Sequence, residues 1–364
     1  MPTKPLVTSY EQDLRRFPDR WQQLGVGLAT VFLLTLPFVA SSRWLTVSVQ
    51  TLTAVVGAVA LMLLTGFAGQ ISLGHAAFLA LGAYSVAVLG NVWHVPFWLA
   101  MPIGGFVAAG VGLAVGPFAL RLRGLYLAIV TLGLLFLVDH VLLSFPDYTG
   151  GVSGISVPIH LWFTSAEGAS SLGDFSGDLT LGPLTLSFEQ KLYFMFLGIA
   201  STSVLLCSNI RRSRTGRAMM AVRDSDLAAE ALGVDPAATK VLAFGLSSFL
   251  AGIAGGMFAL QQQYITVEPP FDLNMSVQYI AMVVLGGIGT TFGAVAGAIT
   301  FVVLTPLAEM LGRHLPLFSS LSSAQQSTLL FSALVIGFLV FEPLGLYGIW
   351  LRIKRYFLAW PFRY

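Results

Sequence analysis

Long apolar segments recur along this chain from near its start to near its end, and they constrain the fold more than any other feature. Most are about 17–25 residues long, the length that a helix needs to cross the hydrocarbon core of a bilayer. About ten such segments are predicted as candidate spans, at 24–41, 45–65, 73–91, 97–119, 124–144, 191–209, 240–263, 276–289, 293–311 and 326–343.

The overall composition agrees with a membrane protein. Hydrophobic residues make up 56% of the chain and charged residues 10%, whereas a soluble domain carries about 25% charged residues. The net charge of +2 is too small to indicate a nucleic-acid partner. We therefore predict an all-α, polytopic transmembrane protein with about ten spans.

The charges between the apolar segments predict which side of the membrane each connector faces, because cytoplasmic connectors are enriched in Lys and Arg. The basic connectors are 1–23, the pair Arg121 and Arg123, 211–240, and the tail 351–364. The acidic connectors are 145–190 and 264–275. This alternation predicts that both termini are cytoplasmic; Arg43 and Arg313 are the exceptions to it.

The same pattern divides the chain into three parts: a cytoplasmic segment 1–23, a transmembrane domain 24–350 and a basic cytoplasmic tail 351–364. The first apolar segment lacks a small-residue cleavage signature, so we interpret it as a retained span and not as a signal peptide. The long connector 145–190 is predicted to be an external loop with a short hairpin around Thr180–Leu186. Aromatic residues among the basic residues at the C-terminus predict an interfacial anchor; they are Trp350, Tyr356, Phe357 and Trp360.

Two apolar segments, 73–91 and 276–289, are short or rich in glycine, and each could be a broken or re-entrant segment. Before the first of them, Gln70, Ser72 and His75 lie where a helix begins within or near the membrane. Transporters line their paths with such helix starts and with unwound backbone. The alternative for His75 is a histidine that only packs between helices. Glycines around Gly286–Gly293 either allow close helix packing or mark a bend that lines a cavity.

The polar segment 211–240, here called the island, interrupts the apolar pattern. A short helix is predicted in it, with Asp224 as N-cap and Gly233 in the position after the C-cap. A second helix start follows, with Asp235 as N-cap and Pro236 in the first turn. The short helix carries one narrow apolar stripe, formed by Leu227, Ala228, Ala231 and Leu232. The island is therefore either a solvated surface helix or a docking helix for a partner outside the membrane.

Several classes of catalytic site are missing from the sequence. It has no GxxxxGK[ST] loop that would hold nucleotide phosphates, no HExxH motif and no GxSxG motif. We predict no bound cofactor or metal and no enzymatic activity, so a membrane enzyme is a distant alternative. Cys207 is the single cysteine, which excludes an internal disulfide.

An ion-coupled secondary carrier is a further alternative, since such carriers use carboxylates inside the membrane to bind the coupling ion. Asp139, His140 and Glu309 are the titratable residues of interest. They lie near predicted span ends, where interfacial residues are expected. Their positions argue against an ion-coupled carrier.

Seven motifs together resemble one transporter family. They are TGFAGQISLGHAAFLALGAY (65–84), RGLYLAIVTLG (123–133), TGGVSGI (149–155), SRTGRAMMAVRDSDLAAEALGVD (213–235), AGIAGGMFA (251–259), VLGGIGTTFGAVAGA (284–298) and EPLGLYGIW (342–350). In this order they are similar to the LivM-type permease subunit of branched-chain amino acid ABC importers. The segment before about Val49 carries no such motif, and Leu344 stands where the family favours a basic residue.

The resemblance implies a permease without ATPase activity in the bacterial inner membrane. Its partners would be two cytoplasmic ABC ATPase subunits, a LivH-type second permease and an external solute-binding protein. The substrate would be a branched-chain or other apolar amino acid, with urea or short amides as the alternative within the same family.

The resemblance also implies roles for individual residues. The island would couple to the ATPase through Arg217, Asp224, Ala229, Glu230 and Gly233. Independently of the resemblance, the helix start and the glycine-rich backbone described above predict that the substrate path passes Gln70, Ser72, His75, Gly286 and Gly287.

Overall fold

A computed structural model of the chain describes residues 20–118, 122, 124–160, 175, 179–181, 184–312, individual positions between 325 and 342, and 345–359. Several expectations concern residues outside these ranges. They are most of the segment 1–23, Arg121 and Arg123, the side chain of Glu309, Arg313, most of the span 326–343, Leu344, and the end of the tail with Trp360.

Helices form most of the described chain. In chain order they are α1 Arg20–Val39, α2 Ser42–Leu61, α3 His75–Val92, α4 Phe97–Val115, α5 Leu125–Ser144, α6 Pro146–Thr149, α7 Phe188–Arg212, α8 Arg214–Asp224, α9 Asp226–Ala231, α10 Pro236–Gln262, α11 Leu273–Gly286, α12 Thr291–Gly312 and α13 Gly345–Ala359. A π-helical turn, Met62–Phe67, continues α2, and a 3-10 turn occupies Gly151–Ser153. Within the described ranges, six helices are long and apolar enough to cross a membrane, or seven if the bent pair α11 and α12 forms one span. The predicted count of about ten spans is not reached within these ranges, which leave out most of 326–343. The protein is therefore an all-α polytopic membrane protein.

Two short antiparallel sheets lie outside the helices. Strand β1, Ile155–Ser156, pairs with β4, Tyr264–Ile265. Strands β2, Leu179–Leu181, and β3, Leu184–Leu186, form a hairpin, which confirms the one predicted around Thr180–Leu186. The β1–β4 pair joins the connector after α5 to the connector after α10, and it marks the end of the helix bundle opposite the island.

The segment 276–289 does not continue straight into the next apolar segment. Helices α11 and α12 are bent by 120° at the break between them. With 14 residues, α11 is about 21 Å long, which is shorter than a hydrocarbon core of about 30 Å. The prediction of a broken segment is confirmed here. By contrast, α3 is a continuous helix of 18 residues, and the irregular backbone of that region lies before it.

Helix α10 is the centre of the bundle, where it contacts α2, α3 and α4. Glycines allow these helices to approach at backbone distance, as in membrane helix pairs generally. A Cβ atom at Gly82 would overlap the carbonyl oxygen of Gly252, and one at Gly255 would overlap the carbonyl oxygen of Leu79. The glycines of the AGIAGG motif therefore serve helix packing.

Replacing Gly255 with alanine should destabilise the bundle by about 1–3 kcal/mol or more, because the new methyl group meets rigid backbone and not a movable side chain. The measurement is thermal unfolding of the detergent-purified chain. Gly198→Ala on α7 is the matched control, since nothing lies within 4 Å of a Cβ at that position. Equal stability of the two variants would contradict the close α3–α10 contact.

Candidate functional site

The island folds into a series of short, individually capped helices. The hydroxyl of Ser213 accepts a hydrogen bond from the Gly216 amide at 3.2 Å and starts α8. Asp235 caps α10 and accepts from the Ala237 amide at 2.8 Å, with Pro236 as the first helical residue, as the sequence predicts. Gly233 has φ +83°, which also agrees with its predicted place after a helix end.

One predicted cap is wrong by a single residue. Asp224 is the last residue of α8, and Ser225 between the two helices is the N-cap of α9. The Ser225 hydroxyl accepts from the Ala228 amide at 3.3 Å. The Asp224 carboxylate instead accepts hydrogen bonds from the guanidinium of Arg223, at 2.8 and 3.0 Å.

The apolar stripe of α9 faces away from the described protein. Leu227 is 77% exposed and Leu232 is 83% exposed. Ala229 points inward and is buried, while Glu230 is exposed beside the stripe. Two exposed leucines on a short capped helix form a surface that a partner can cover.

An ion pair joins this surface helix to the central helix of the bundle. The ammonium group of Lys240 lies 2.8 Å from a carboxylate oxygen of Asp226, and both side chains are largely buried. Lys240 lies in the second turn of α10 and Asp226 begins α9. The ion pair therefore links α9 directly to the helix that contacts α2, α3 and α4. Arg217 is directed elsewhere, since it donates to the Arg212 carbonyl at the end of α7.

Arg223 makes a second connection from the island into the bundle. Its Nη1 donates to the carbonyl oxygen of Gly66 at 2.8 Å, at the end of the π turn. Gly69 packs directly on its side chain: a Cβ at Gly69 would lie 2.6 Å from Cγ of Arg223. A Cβ at Gly289, in the tight turn between α11 and α12, would lie 3.4 Å from Nη1. Arg223 thus contacts both irregular backbone segments of the bundle.

The unwound segment between the π turn and α3 holds two of the predicted path residues. Gln70 is 4% exposed and Ser72 is 1% exposed. Within the described residues, neither the side-chain amide of Gln70 nor the hydroxyl of Ser72 has a hydrogen-bond partner. Buried polar groups of this kind are rare, and they indicate a ligand, water or a second conformation.

A cavity of about 350 Å³ lies between the unwound segment and the island. Gln70 lines it from the bundle side, and Arg223, Ser225 and Lys240 line it from the island side. The same side chains therefore border the cavity and connect α8–α10 to the membrane segments. A movement of the island relative to Gln70 changes the shape of this cavity.

His75 lies in the core and borders none of the described cavities. Its Nε2 is 3.0 Å from the Gly57 carbonyl oxygen, and its ring centroid is 5.1 Å from that of Tyr279. The start of α3 is also enclosed, because the Ala76 amide donates to the Ser276 hydroxyl at 3.0 Å. His75 therefore packs between helices, which is the alternative to a path residue that the sequence left open.

The two predicted path glycines form the bend after α11. Gly286 is buried, and a Cβ there would overlap the carbonyl oxygen of Gly293 on α12. Gly287 is the C-cap of α11 with φ +111°, a conformation that favours glycine. The structure thus brings Gln70, Arg223 and the bend near one another and leaves His75 in the packed layer.

The remaining titratable residues lie away from this cavity. Asp139 is buried near the end of α5 and His140 beside it is exposed, at the end of the bundle opposite the island. Sequence reasoning did not single out Arg223 or Lys240. Both stand among other basic residues of the island, and no local pattern distinguishes them.

Comparison with known proteins shows the family of the chain. The family described as "Branched-chain amino acid transport system / permease component" matches residues 43–341. The high-affinity branched-chain amino acid transport system permease protein LivM of Escherichia coli K12 is 32% identical over 338 residues, which cover 89% of this chain and 75% of that protein. LivM of Salmonella typhimurium LT2 is 30% identical over 331 residues, with the same two coverages.

A more distant relative belongs to an import system for a different substrate. The autoinducer 2 import system permease protein LsrC of Shigella flexneri is 29% identical over 295 residues, 78% of each chain. The comparison with solved structures gives no match.

Proposed function

Because this chain belongs to the family of branched-chain amino acid transport permeases, we propose that it is the permease subunit of an ATP-binding-cassette importer for branched-chain or other apolar amino acids. The observation that carries the proposal is the exposed, capped helix α9, which is joined to the bundle by Lys240–Asp226 and by Arg223. A helix of this kind is suited to receive a motion from a separate subunit. ATP hydrolysis belongs to the partner chains.

The proposed assembly contains two cytoplasmic ATPase subunits, a LivH-type second permease and an external solute-binding protein. The names of the LivM relatives support an amino-acid transport system. The basic island supports a cytoplasmic position for α8 and α9. In this orientation both termini are cytoplasmic, and the β1–β4 sheet faces the binding protein outside the inner membrane.

The connections of the island support a mechanism of alternating access. The ATPase groove holds the α9 stripe, with Glu230 at its edge, and nucleotide-driven closure moves α9. Asp226 transmits the displacement through Lys240 to α10. Arg223 transmits it to Gly66 and Gly69, before the unwound segment. The cavity beside Gln70 then opens or closes on the cytoplasmic side.

The other site residues have supporting roles in this mechanism. Gln70 and Ser72 offer unpaired polar groups to a passing substrate or to water. Gly286 and Gly287 form the bend that moves with Arg223, and His75 positions α3 against α2 and α11.

Of the coupling residues, Glu230 contacts the ATPase directly. Ala229 and Gly233 shape α9, Asp224 orients Arg223, and Arg217 secures the end of α7.

The test is a detergent pull-down with this chain as bait, together with an assay of ATP hydrolysis by the recovered complex. Glu230→Lys should reduce transport strongly, because the substitution reverses a charge at the docking surface, and it should leave membrane insertion unchanged. The conservative variant Glu230→Asp keeps the charge and should retain coupling.

Two outcomes would contradict the proposal. One is that the chain purifies alone and transports amino acids in liposomes under an ion gradient only. The other is that Glu230→Lys leaves uptake unchanged. Competition between leucine and urea for uptake separates the amino-acid substrate from the amide alternative.

A further inference from the structure

A second cavity lies at the end of the bundle opposite the island. It is a partly open cavity of about 380 Å³, lined by residues of α2, α10, α11 and α12. This volume falls in the range of small-molecule sites, about 300–1,000 Å³. Tyr279 borders it on the inner side, where its ring packs against His75. The cavity therefore ends at the packed layer that contains the start of α3.

Four glutamines line this cavity, which is unusual for helices of a membrane protein. They are Gln50, Gln261, Gln262 and Gln278. None of the four makes a side-chain hydrogen bond within the described part of the chain. Gln50 lies eight residues into α2, about 12 Å along a helix that is long enough to cross a hydrocarbon core of about 30 Å. Polar side chains at that depth face a water-filled space or a ligand and not lipid.

The lining combines polar and apolar side chains. Arg43 is the one charged lining residue in the described chain, and Arg43, Gln50 and Gln262 are exposed. Apolar side chains of the lining include Met275, Met282, Phe301 and Val302. A glutamine amide offers two donors and one acceptor, so it can bind a carboxylate and an ammonium group alike.

We propose that this cavity, the glutamine pocket, is a transient binding site for a zwitterionic amino acid with an aliphatic side chain. The α-carboxylate lies toward Arg43 and the glutamine donors, the α-ammonium group toward the glutamine carbonyls, and the aliphatic chain against Met275 and Met282. This inference rests on the importer function proposed above and adds selectivity within the permease itself. The substrate remains bound there, on the external side of the His75–Tyr279 contact, until the bundle opens toward the cytoplasm.

The experiment measures equilibrium binding of radiolabelled leucine to the complete transporter complex in nanodiscs, without the solute-binding protein. The unmodified complex should bind leucine saturably. Gln278→Leu should weaken the affinity at least about tenfold, because it removes hydrogen bonds to charged groups; Gln50→Leu is the second variant. Asn274→Leu is the matched control, since it removes an exposed amide of the same helix outside the cavity.

Competing compounds test the zwitterion directly. Unlabelled leucine should displace the label, whereas 4-methylpentanoate, which lacks the ammonium group, and 3-methylbutylamine, which lacks the carboxylate, should not. Absence of saturable binding to the unmodified complex at millimolar leucine overturns the glutamine pocket. So does unchanged binding in both glutamine variants.

A photocrosslinking amino acid at position 278 tests the other occupant, a neighbouring subunit. Crosslinking to the second permease that leucine does not reduce would identify a subunit interface and overturn the pocket. ATP hydrolysis stimulated by the loaded binding protein is measured in the same preparation. If stimulation persists while leucine binding is absent, the pocket alone fails; if no ATPase associates, the importer proposal fails.

Discussion

The double variant Leu227→Asp, Leu232→Asp should lose its ATPase partner while the permease remains folded. The two side chains are 77% and 83% exposed, so neither stabilises the isolated chain. Full burial of a leucine in a partner groove contributes about 1.5–3 kcal/mol. Losing two such contacts and burying two carboxylates should weaken the complex by at least about 100-fold in Kd.

The measurement for this variant is copurification of the ATPase, followed by ATP hydrolysis and leucine uptake in proteoliposomes. Val152→Asp is the control, because Val152 is 88% exposed at the opposite end of the bundle. It should recover the ATPase in full. Normal copurification of the double variant would mean that α9 is a solvated surface helix and not the docking element.

Arg223→Gln should give the opposite combination, an intact complex that hydrolyses ATP and transports poorly. The substitution removes the charge-assisted hydrogen bond to the Gly66 carbonyl and the ion pair with Asp224. A hydrogen bond to a charged group contributes about 1.5–3 kcal/mol, and coupling energies of about 1–3 kcal/mol correspond to 5–150-fold effects. We expect transport per ATP hydrolysed to fall by about tenfold or more.

Transport and ATP hydrolysis should be measured in the same proteoliposomes, so that their ratio reports coupling. Arg214→Gln makes the same change on the same helix at an exposed position, and it should keep the normal ratio. Arg223→Lys keeps the charge but loses the planar guanidinium, so an intermediate ratio is expected. A normal ratio in Arg223→Gln would exclude Arg223 as a coupling link.

The two variants also separate the steps of the mechanism. Loss of the α9 leucines prevents docking of the ATPase on the permease. Loss of Arg223 leaves docking intact and removes the link between α8 and the unwound segment. The Lys240–Asp226 ion pair provides a parallel connection to α10. For this reason Arg223→Gln is expected to reduce coupling without abolishing it. ATPase binding should persist because the docking surface on α9 is unchanged.

Much of the architecture is determined by the sequence alone. The apolar segments within the described residues are helices, including the broken pair on either side of Gly287. The hairpin formed where turn residues separate two short apolar runs. Gly233 and Asp235 took the predicted conformation and cap. These features depend on transfer of side chains out of water and on hydrogen bonds within one turn of helix, so neighbouring residues suffice to predict them.

The tertiary structure decided the features that depend on packing. Ser225 replaced Asp224 as the N-cap because α8 extends one residue farther and directs the aspartate to Arg223. His75 went into the packed layer because Tyr279 and the Gly57 carbonyl meet it there.

Arg223 was one arginine among several in the sequence. Its bond to Gly66 joins residues 157 positions apart. Such contacts depend on how whole helices pack, and the periodicity or composition of a single segment contains no information about its neighbour in space.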